Sequence, residues 1–184
     1  MSIIEKIFSI FKTKEEQKVF DDKLEELEDL ISYTFTDKNL LRKALMHRSF
    51  VNTANMDRFE SNENLEFLGD AVLGLVVSKF LYYKYPTRRE GDMARIKSLV
   101  VSEKVLARYS KVLELGKYIY LSKNERKMGG AFRSSILADT YEALLGAIYL
   151  DGGYAPAEKY INDTLLNNFE KIIQKKENKN FKSL

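Results

Sequence analysis

Two otherwise apolar segments of the sequence carry acidic residues at helical spacing. The five acids are Glu63, Glu66 and Asp70 in the first segment, and Asp139 and Glu142 in the second. At 3.6 residues per turn, the acids of each segment share one face of a helix. Neither segment places a Lys or Arg three or four residues after any of them. Unpaired carboxylates are costly to bury, so the pattern predicts that a cation from elsewhere lies between the two helices.

The side-chain chemistry of the chain restricts which cation this is. There is no cysteine, which excludes a thiolate zinc site, a disulfide scaffold and a cysteine nucleophile, and His47 is the only histidine. Oxygen ligands alone select a hard ion, Mg²⁺ or Mn²⁺. Glu66 and Asp70 are one turn apart, about 6 Å along the axis, and Asp139 and Glu142 are similarly close. Two such pairs on facing helices predict one four-carboxylate site.

Two residues near this predicted site have simpler interpretations. Glu63 lies about 10 Å along the helix from Asp70, which suits a supporting role better than a shared ion. An acid near a helix N-terminus can also serve only the helix dipole, and a solvated helix edge is the alternative interpretation for the remaining acids. Histidine side chains ordinarily titrate near neutrality, so His47 could act as a general base, but we expect it to cap or anchor a helix end.

The elements that position these residues are predicted to be almost all α-helical, because apolar residues recur at helical spacing and no long alternating pattern occurs. The predicted helices cover residues 21–31, 38–46, 63–83, 91–101, 103–113, 135–150 and 155–176. Asp37, Asn62 and Ser102 are the expected caps. Residues 50–61 and 123–133 are predicted loops.

Composition limits the class of protein further. The 184 residues are 45% hydrophobic and 31% charged, which is ordinary for one globular domain with some extra length. The net charge of +3 is small, so any nucleic-acid-binding surface must be local. No apolar run approaches the roughly 18 residues of a membrane span, and the N-terminus lacks the features of a secretory signal. We therefore expect a cytoplasmic protein without membrane contact.

Four stretches, in order, resemble the ribonuclease III family of double-stranded RNA endonucleases. NENLEFLGDAV (62–72) is similar to the signature box of the family, and GGAFRSSILADTYEALLGAIYLDGGY (129–154) to its second acidic box. SYTFTDKNLLRKALMHRSF (32–50) resembles the opening helix, and REGDMARIKSLVVSEKVLA (89–107) the Glu-Gly segment with the helices after it. The resemblance covers roughly residues 24–170. One departure is Asn64, which stands where the family usually has Arg.

The resemblance implies an all-α endonuclease-domain fold, a helical bundle that forms a homodimer. It implies hydrolysis of phosphodiesters in double-stranded RNA, as in rRNA processing, with Mg²⁺ as cofactor, which Mn²⁺ can replace, and with 5′-phosphate and 3′-hydroxyl ends as products. The implied metal ligands are Glu66, Asp70, Asp139 and Glu142. The implied catalytic residues are Asp70 and Glu142, supported by Glu63 and Glu90. Phe67 matches an aromatic residue that inserts into the partner subunit, although a core phenylalanine has the same spacing.

RNA binding requires basic residues, and the candidates are Arg95, Lys97, Arg126, Lys127 and Arg133. We expect residues 1–22 to be an N-terminal helical extension, 23–172 the catalytic domain, and 173–184 a basic tail. The tail resembles the start of the family's linker to a double-stranded-RNA-binding domain, without which we expect weak affinity for RNA.

Two other functions compete with an active nuclease. The first is an inactive family member that serves as an RNA-binding or structural module. All four acidic ligands are present, which argues against it. The second is a different all-α metal-dependent hydrolase that acts on nucleotides. Such enzymes commonly use histidines, so the single histidine argues against that function.

Overall fold

The computed structural model describes the backbone of residues 14–180 and the side chains of residues 22–174. The helices are α1 (Lys14–Ile31), α2 (Lys38–Ala44), α3 (Arg48–Thr53), α4 (Glu63–Lys84), α5 (Glu90–Val100), α6 (Glu103–Val112), α7 (Lys123–Lys127), α8 (Ser134–Gly152), α9 (Tyr154–Thr164) and α10 (Phe169–Asn180). Across residues 14–180 there is no β-strand, only an isolated bridge between Met46 and Tyr120. The all-α prediction is confirmed.

Some of the predicted segments lie near the two ends of the described residues. Residues 1–13 of the predicted N-terminal helical extension lie outside the described residues. The proposed domain boundaries at 22/23 and 172/173 fall inside α1 and α10. In the described part of the chain, no helix combines the length and apolarity needed to cross a bilayer.

Helix α8 is the centre of the bundle and packs against α2, α4, α6 and α9. Tyr141, Leu144, Leu145 and Ile148 are each fully buried along it. A helix surrounded by neighbours needs apolar residues on most of its faces, which explains why α8 has so few polar positions. The two acids of α8 are therefore held on a rigid element inside the bundle.

Two glycines allow α4 and α8 to cross with their backbones in contact. A Cβ at Gly69 would lie 1.8 Å from the carbonyl oxygen of Glu142, and a Cβ at Gly146 would lie 2.2 Å from that of Leu65. Only residues without a side chain permit this approach. The crossing brings the acidic face of α4 against the acidic face of α8.

Several predicted boundaries are wrong for reasons of local hydrogen bonding or tertiary packing. The predicted loop 50–61 begins inside α3, which His47 caps by accepting a hydrogen bond from the backbone N–H of Ser49. The predicted last helix is interrupted between α9 and α10, where Leu165 and Leu166 are buried in the core. Helix α1 begins at Lys14, seven residues before the predicted start.

Of the three predicted caps, only that of Asp37 is confirmed, since its side chain accepts a hydrogen bond from the backbone N–H of Asn39. Asn62 and Ser102 stand at the N-cap positions without a capping side-chain hydrogen bond. The Asn62 side chain instead donates to the carbonyl oxygen of Ala44 at the end of α2, and the Ser102 hydroxyl donates to that of Leu99 near the end of α5.

Asp151, near the end of α8, ties this helix to the connection between α1 and α2. Its carboxylate accepts hydrogen bonds from the Tyr33 hydroxyl at 2.7 Å and from the backbone N–H groups of Thr36 at 2.9 Å and Asp37 at 2.8 Å. Burial alone would raise the pKa of Asp151, but these three donors lower it below its ordinary value. The ionised carboxylate is thus a stabilising contact of the fold.

Replacing Asp151 by alanine is expected to lower the free energy of unfolding by about 1–2 kcal/mol at pH 7, because hydrogen bonds to a charged group are lost. The folded pKa is depressed, so the stabilisation is present above the unfolded pKa and is lost as the pH falls through the folded pKa. Urea unfolding at pH 7 and near pH 3 measures both effects. Asp163→Ala is the control, because Asp163 pairs only with the exposed Lys159 in the described contacts. If Asp151→Ala and Asp163→Ala lost equal free energy of unfolding, the stabilising role of the ionised Asp151 would be contradicted.

Candidate functional site

Three carboxylates meet where α4 crosses α8. One oxygen each from Glu66, Asp139 and Glu142 lies within 4.8 Å of the others, and all three side chains are partly buried. Within the described residues this is the only cluster of acidic, histidine or cysteine side chains close enough to share an ion. The structure therefore brings together three of the four predicted metal ligands.

The electrostatics of the cluster reflect crowded negative charge. Burial raises the pKa of Glu142 to about 8, with further contributions from Asp70, Glu66 and Asp139. Burial and the neighbouring Asp139 raise the pKa of Glu66 to about 7. The pKa of Asp139 is raised as well, by burial and then by Glu103 at the start of α6. Protons or a cation must offset this charge near neutral pH.

Asp70, the fourth predicted ligand, is exposed and lies outside the cluster. It is nevertheless the acid that contributes most to the raised pKa of Glu142, so its carboxylate adjoins the cluster. Glu63 is held in another way. It forms ion pairs with Arg58 at 3.4 Å and Arg48 at 3.7 Å and accepts a hydrogen bond from Ser61.

An open cleft of about 480 Å³ gives access to Glu66 and Asp139 of the cluster and to Glu63, whereas Glu142 and Asp70 do not line it. Its lining residues are His47, Arg48, Ser49, Asn52, Asn62, Glu63, Glu66, Glu125, Arg133, Ser135, Ile136 and Asp139. The first residues of α3 and the start of α8 thus add cationic and hydrogen-bonding groups to an acidic cleft. An extended anionic ligand could reach the carboxylates along such a surface only if a cation is present.

Comparison with known proteins assigns the fold to one family. A family model described as Ribonuclease-III-like matches residues 37–169. The chain belongs to the ribonuclease III family. Ribonuclease 3 of Geobacter sulfurreducens is 47% identical over 138 residues, which are 75% of this chain and 56% of that protein. Ribonuclease 3 of Fusobacterium nucleatum is 40% identical over 172 residues, covering 86% of this chain and 73% of that one.

The ribonuclease III fold is seen in solved structures as well. The nuclease domain of ribonuclease III from Campylobacter jejuni superposes with a TM-score of 0.74 at 41% identity, over 80% of this chain and 99% of that one. The chain spans 56% and 60% of the length of two Geobacter relatives that it matches. The matched region includes both acidic helices and the α4–α8 crossing.

Glu90 and the basic residues predicted to bind RNA are spread over the surface. Glu90 is the exposed first residue of α5 and does not line the cleft. Of the five basic candidates, only Arg133 lines it. Arg126 instead donates to the carbonyl oxygen of Ile119, at 2.6 Å. Arg95 and Lys97 lie on α5 and Lys127 on α7, outside the cleft lining.

Phe67 is 82% exposed on α4, so the alternative that it is a core phenylalanine is wrong. Leu75 and Tyr82 extend the exposed apolar surface along the same helix, at 57% and 67% exposure. Val72 and Val76 of the same helix are buried in the core and do not belong to this exposed surface.

Arg48 is a functional candidate that was not predicted from the sequence. Its positive charge offsets part of the rise in the pKa values of Glu66 and Asp139, and its side chain lines the cleft. It lies within the His-Arg-Ser stretch that the resemblance already identifies, so a signal was present. Glu125 and Asn52 also line the cleft, and no spacing in the sequence distinguishes them from surface residues.

Proposed function

We propose that this chain is a metal-dependent endoribonuclease that hydrolyses phosphodiesters within double-stranded RNA and leaves 5′-phosphate and 3′-hydroxyl ends. The observation that carries the proposal is the cluster of Glu66, Asp139 and Glu142 beside an open cleft in a chain of the ribonuclease III family. Processing of rRNA, cytoplasmic localisation and the catalytic-domain limits 23–172 are parts of the same proposal.

The donor set fits Mg²⁺, with Mn²⁺ as a substitute. All three ligands are carboxylates, and ligand oxygens around one octahedral Mg²⁺ lie about 3–4 Å apart, a spacing that the cluster can adopt with small side-chain rotations. Asp70 adjoins the cluster and is the fourth proposed ligand. When bound, the ion stabilises the charge that develops on phosphate oxygens and lowers the pKa of water for attack.

The residues of the chain have distinct proposed roles around the phosphate. Glu66, Asp139 and Glu142 hold the cation, and the α4–α8 crossing fixes their separation. Glu63, held by its two arginines, supports the carboxylate edge of the cleft. Glu90 lies apart from this cleft, so its proposed supporting role would have to be exercised elsewhere, for example across a dimer.

Cation binding is expected to release protons near neutral pH. With pKa values of about 7 for Glu66 and about 8 for Glu142, both carboxyls are partly protonated at pH 7 before the cation displaces their protons. Affinity for Mg²⁺ should therefore rise with pH and level off above pH 8. Calorimetric titration in two buffers of different ionisation enthalpy measures the number released, and Glu142→Gln should reduce it. Binding without proton release would contradict these pKa shifts.

We further propose a homodimer formed through the exposed apolar surface of α4, the surface of Phe67, Leu75 and Tyr82. The solved C. jejuni nuclease domain is described as having a region involved in dimer formation. An exposed apolar surface of this kind usually marks a protein contact.

Replacing Phe67 by aspartate is expected to shift the protein from dimer to monomer, because a charge would be buried in the interface. Analytical ultracentrifugation at micromolar concentration measures the change. Phe132→Asp is the matched control, since Phe132 is 77% exposed but belongs to the 3₁₀ turn Gly130–Phe132 and not to α4. A Phe67→Asp variant that stays dimeric would exclude this interface.

The test of the proposed function is a substrate panel of long duplex RNA, single-stranded RNA and nucleotides, with Mg²⁺ or with chelator. We expect Mg²⁺-dependent cleavage of the duplex alone, with 5′-phosphates on the products. Duplex binding without cleavage would favour the inactive RNA-binding module. Hydrolysis of nucleotides alone would favour the other class of metal-dependent hydrolase.

A further inference from the structure

We infer that His47, Arg48 and Arg133 form a backbone-binding wall in the cleft and bind phosphates or 2′-hydroxyls of the RNA strand whose phosphodiester lies at the carboxylates. All three side chains line the cleft that also contains Glu66 and Asp139. The identity of the ligand rests on the proposed function. The wall itself rests on the contacts of these three residues.

The two arginines are oriented by ion pairs but keep free surface. Arg48 pairs with Glu63 at 3.7 Å, and its side chain is 64% exposed. Arg133 pairs with Glu125 at 2.7 Å, and its side chain is 43% exposed. A guanidinium has five N–H donors in a planar fork that matches a phosphate, so a single carboxylate partner leaves donors for a ligand.

His47 contributes a neutral donor of fixed tautomer. Its Nδ1 accepts a hydrogen bond from the backbone N–H of Ser49 at 3.2 Å, so Nδ1 carries no proton. The Ser49 hydroxyl lies 2.8 Å from the same nitrogen and itself accepts the N–H of Ser122 at 3.1 Å, which leaves its own proton for Nδ1. The ring proton is therefore on Nε2, where it is available to an acceptor in the cleft.

These hydrogen-bond donors offset the repulsion between RNA phosphates and the carboxylates of the cleft. RNA brings negative phosphates to a site that is already crowded with carboxylates, and the charges repel. Arg48 already interacts favourably with Glu63, Glu66 and Asp139. Once a cation offsets the carboxylates, both arginines can turn to phosphate oxygens. Double-stranded RNA offers phosphates and 2′-hydroxyls as its accessible acceptors, whatever its sequence.

The test is equilibrium binding of a fluorescent duplex RNA with Ca²⁺ in place of Mg²⁺, followed by anisotropy over a range of salt concentrations. We expect Arg48→Ala and Arg133→Ala each to weaken binding about tenfold and to lower the salt slope by about 1. Arg108→Ala is the matched control, because Arg108 is an exposed arginine of α6 that does not line this cleft. It should bind within about twofold of the wild type.

A second variant separates the donor role of His47 from its capping role. His47→Asn keeps an acceptor near the position of Nδ1 and remains a favourable N-cap, but it loses the distal N–H. We expect unchanged thermal stability and duplex binding weakened about fivefold, as one donor is lost.

The inference is overturned if the three wall variants bind like Arg108→Ala, or if the wild type does not bind the duplex. Cleavage with Mg²⁺ distinguishes this failure from that of the proposed function. If all three variants cleave the duplex as fast as the wild type, the wall is rejected and the proposed nuclease function still holds. Wall-dependent binding without any cleavage rejects the nuclease and supports the wall.

Discussion

Replacing Glu142 by glutamine is expected to lower the Mg²⁺-dependent cleavage rate of duplex RNA by about a thousandfold, which corresponds to several kcal/mol of lost transition-state stabilisation. Glu142 lies in the carboxylate cluster with Glu66 and Asp139, and a neutral amide is a poor ligand for a hard cation. Single-turnover cleavage at saturating enzyme measures the change. Glu158→Gln is the control, because Glu158 lies on α9 and pairs with Lys79 outside the cleft.

The same variant has an opposite effect on stability. The pKa of Glu142 is raised to about 8 in the folded protein, so the fold binds its proton more tightly than the unfolded chain does. Without a cation, the wild type therefore loses stability as the pH rises from the unfolded pKa through the folded one. Glu142→Gln does not ionise, and in chelator at pH 9 we expect it to melt at a higher temperature than the wild type. If Glu142→Gln cleaved duplex RNA at the wild-type rate, the assignment of Glu142 as a metal ligand would be refuted.

Replacing Gly69 by alanine is expected to lower the free energy of unfolding by about 3 kcal/mol or more, beyond the usual effect of overpacking. The added Cβ would lie 1.8 Å from a backbone oxygen of α8, which no side-chain rotation can relieve. The helices must separate, and the carboxylates of Glu66 and Glu142 separate with them. Urea unfolding measures the loss, and calorimetric titration of Mg²⁺ should show weakened binding.

Gly91→Ala is the matched control for this substitution. Gly91 lies in the first turn of α5, and a Cβ there would meet no atom within 4 Å. Alanine is the better helix former, so we expect Gly91→Ala to be neutral or stabilising by up to about 1 kcal/mol. Gly146→Ala should lower the free energy of unfolding as Gly69→Ala does, because its Cβ would clash with the backbone of α4 at the same crossing. If Gly69→Ala were as stable as the control, close contact would not be what sets the helix spacing.

Much of the local structure could be predicted from the sequence. The long helices follow from apolar residues at helical spacing, and Asp37 caps α2 as its residue type and position predict. Predicted helix boundaries were wrong where a side-chain hydrogen bond or core packing, rather than the local sequence pattern, set the end of a helix. His47 caps a helix as expected, but that helix, α3, extends into the predicted loop 50–61. The burial of Leu165 and Leu166 interrupts a continuous helical pattern between α9 and α10.

Spacing also determined which acids share a face. Glu66 and Asp70 on one helix and Asp139 and Glu142 on another follow from the period of the α-helix alone. Oxygen-only ligands, without cysteine and with one histidine, limit the cation to a hard ion whatever the fold. The ordered family motifs added the proposed reaction to this local chemistry.

Only the tertiary structure decided what each face meets. The contact of Gly69 and Gly146 sets the distance between the acidic helices, and packing around α4 leaves Phe67 exposed while it buries Val72. It also brings Arg48 of α3 to the edge of the carboxylates, although no helical spacing relates it to the acids of α4 or α8. Periodicity fixes the direction of a side chain relative to its own helix. The neighbour that the side chain meets depends on long-range packing, which no local spacing contains.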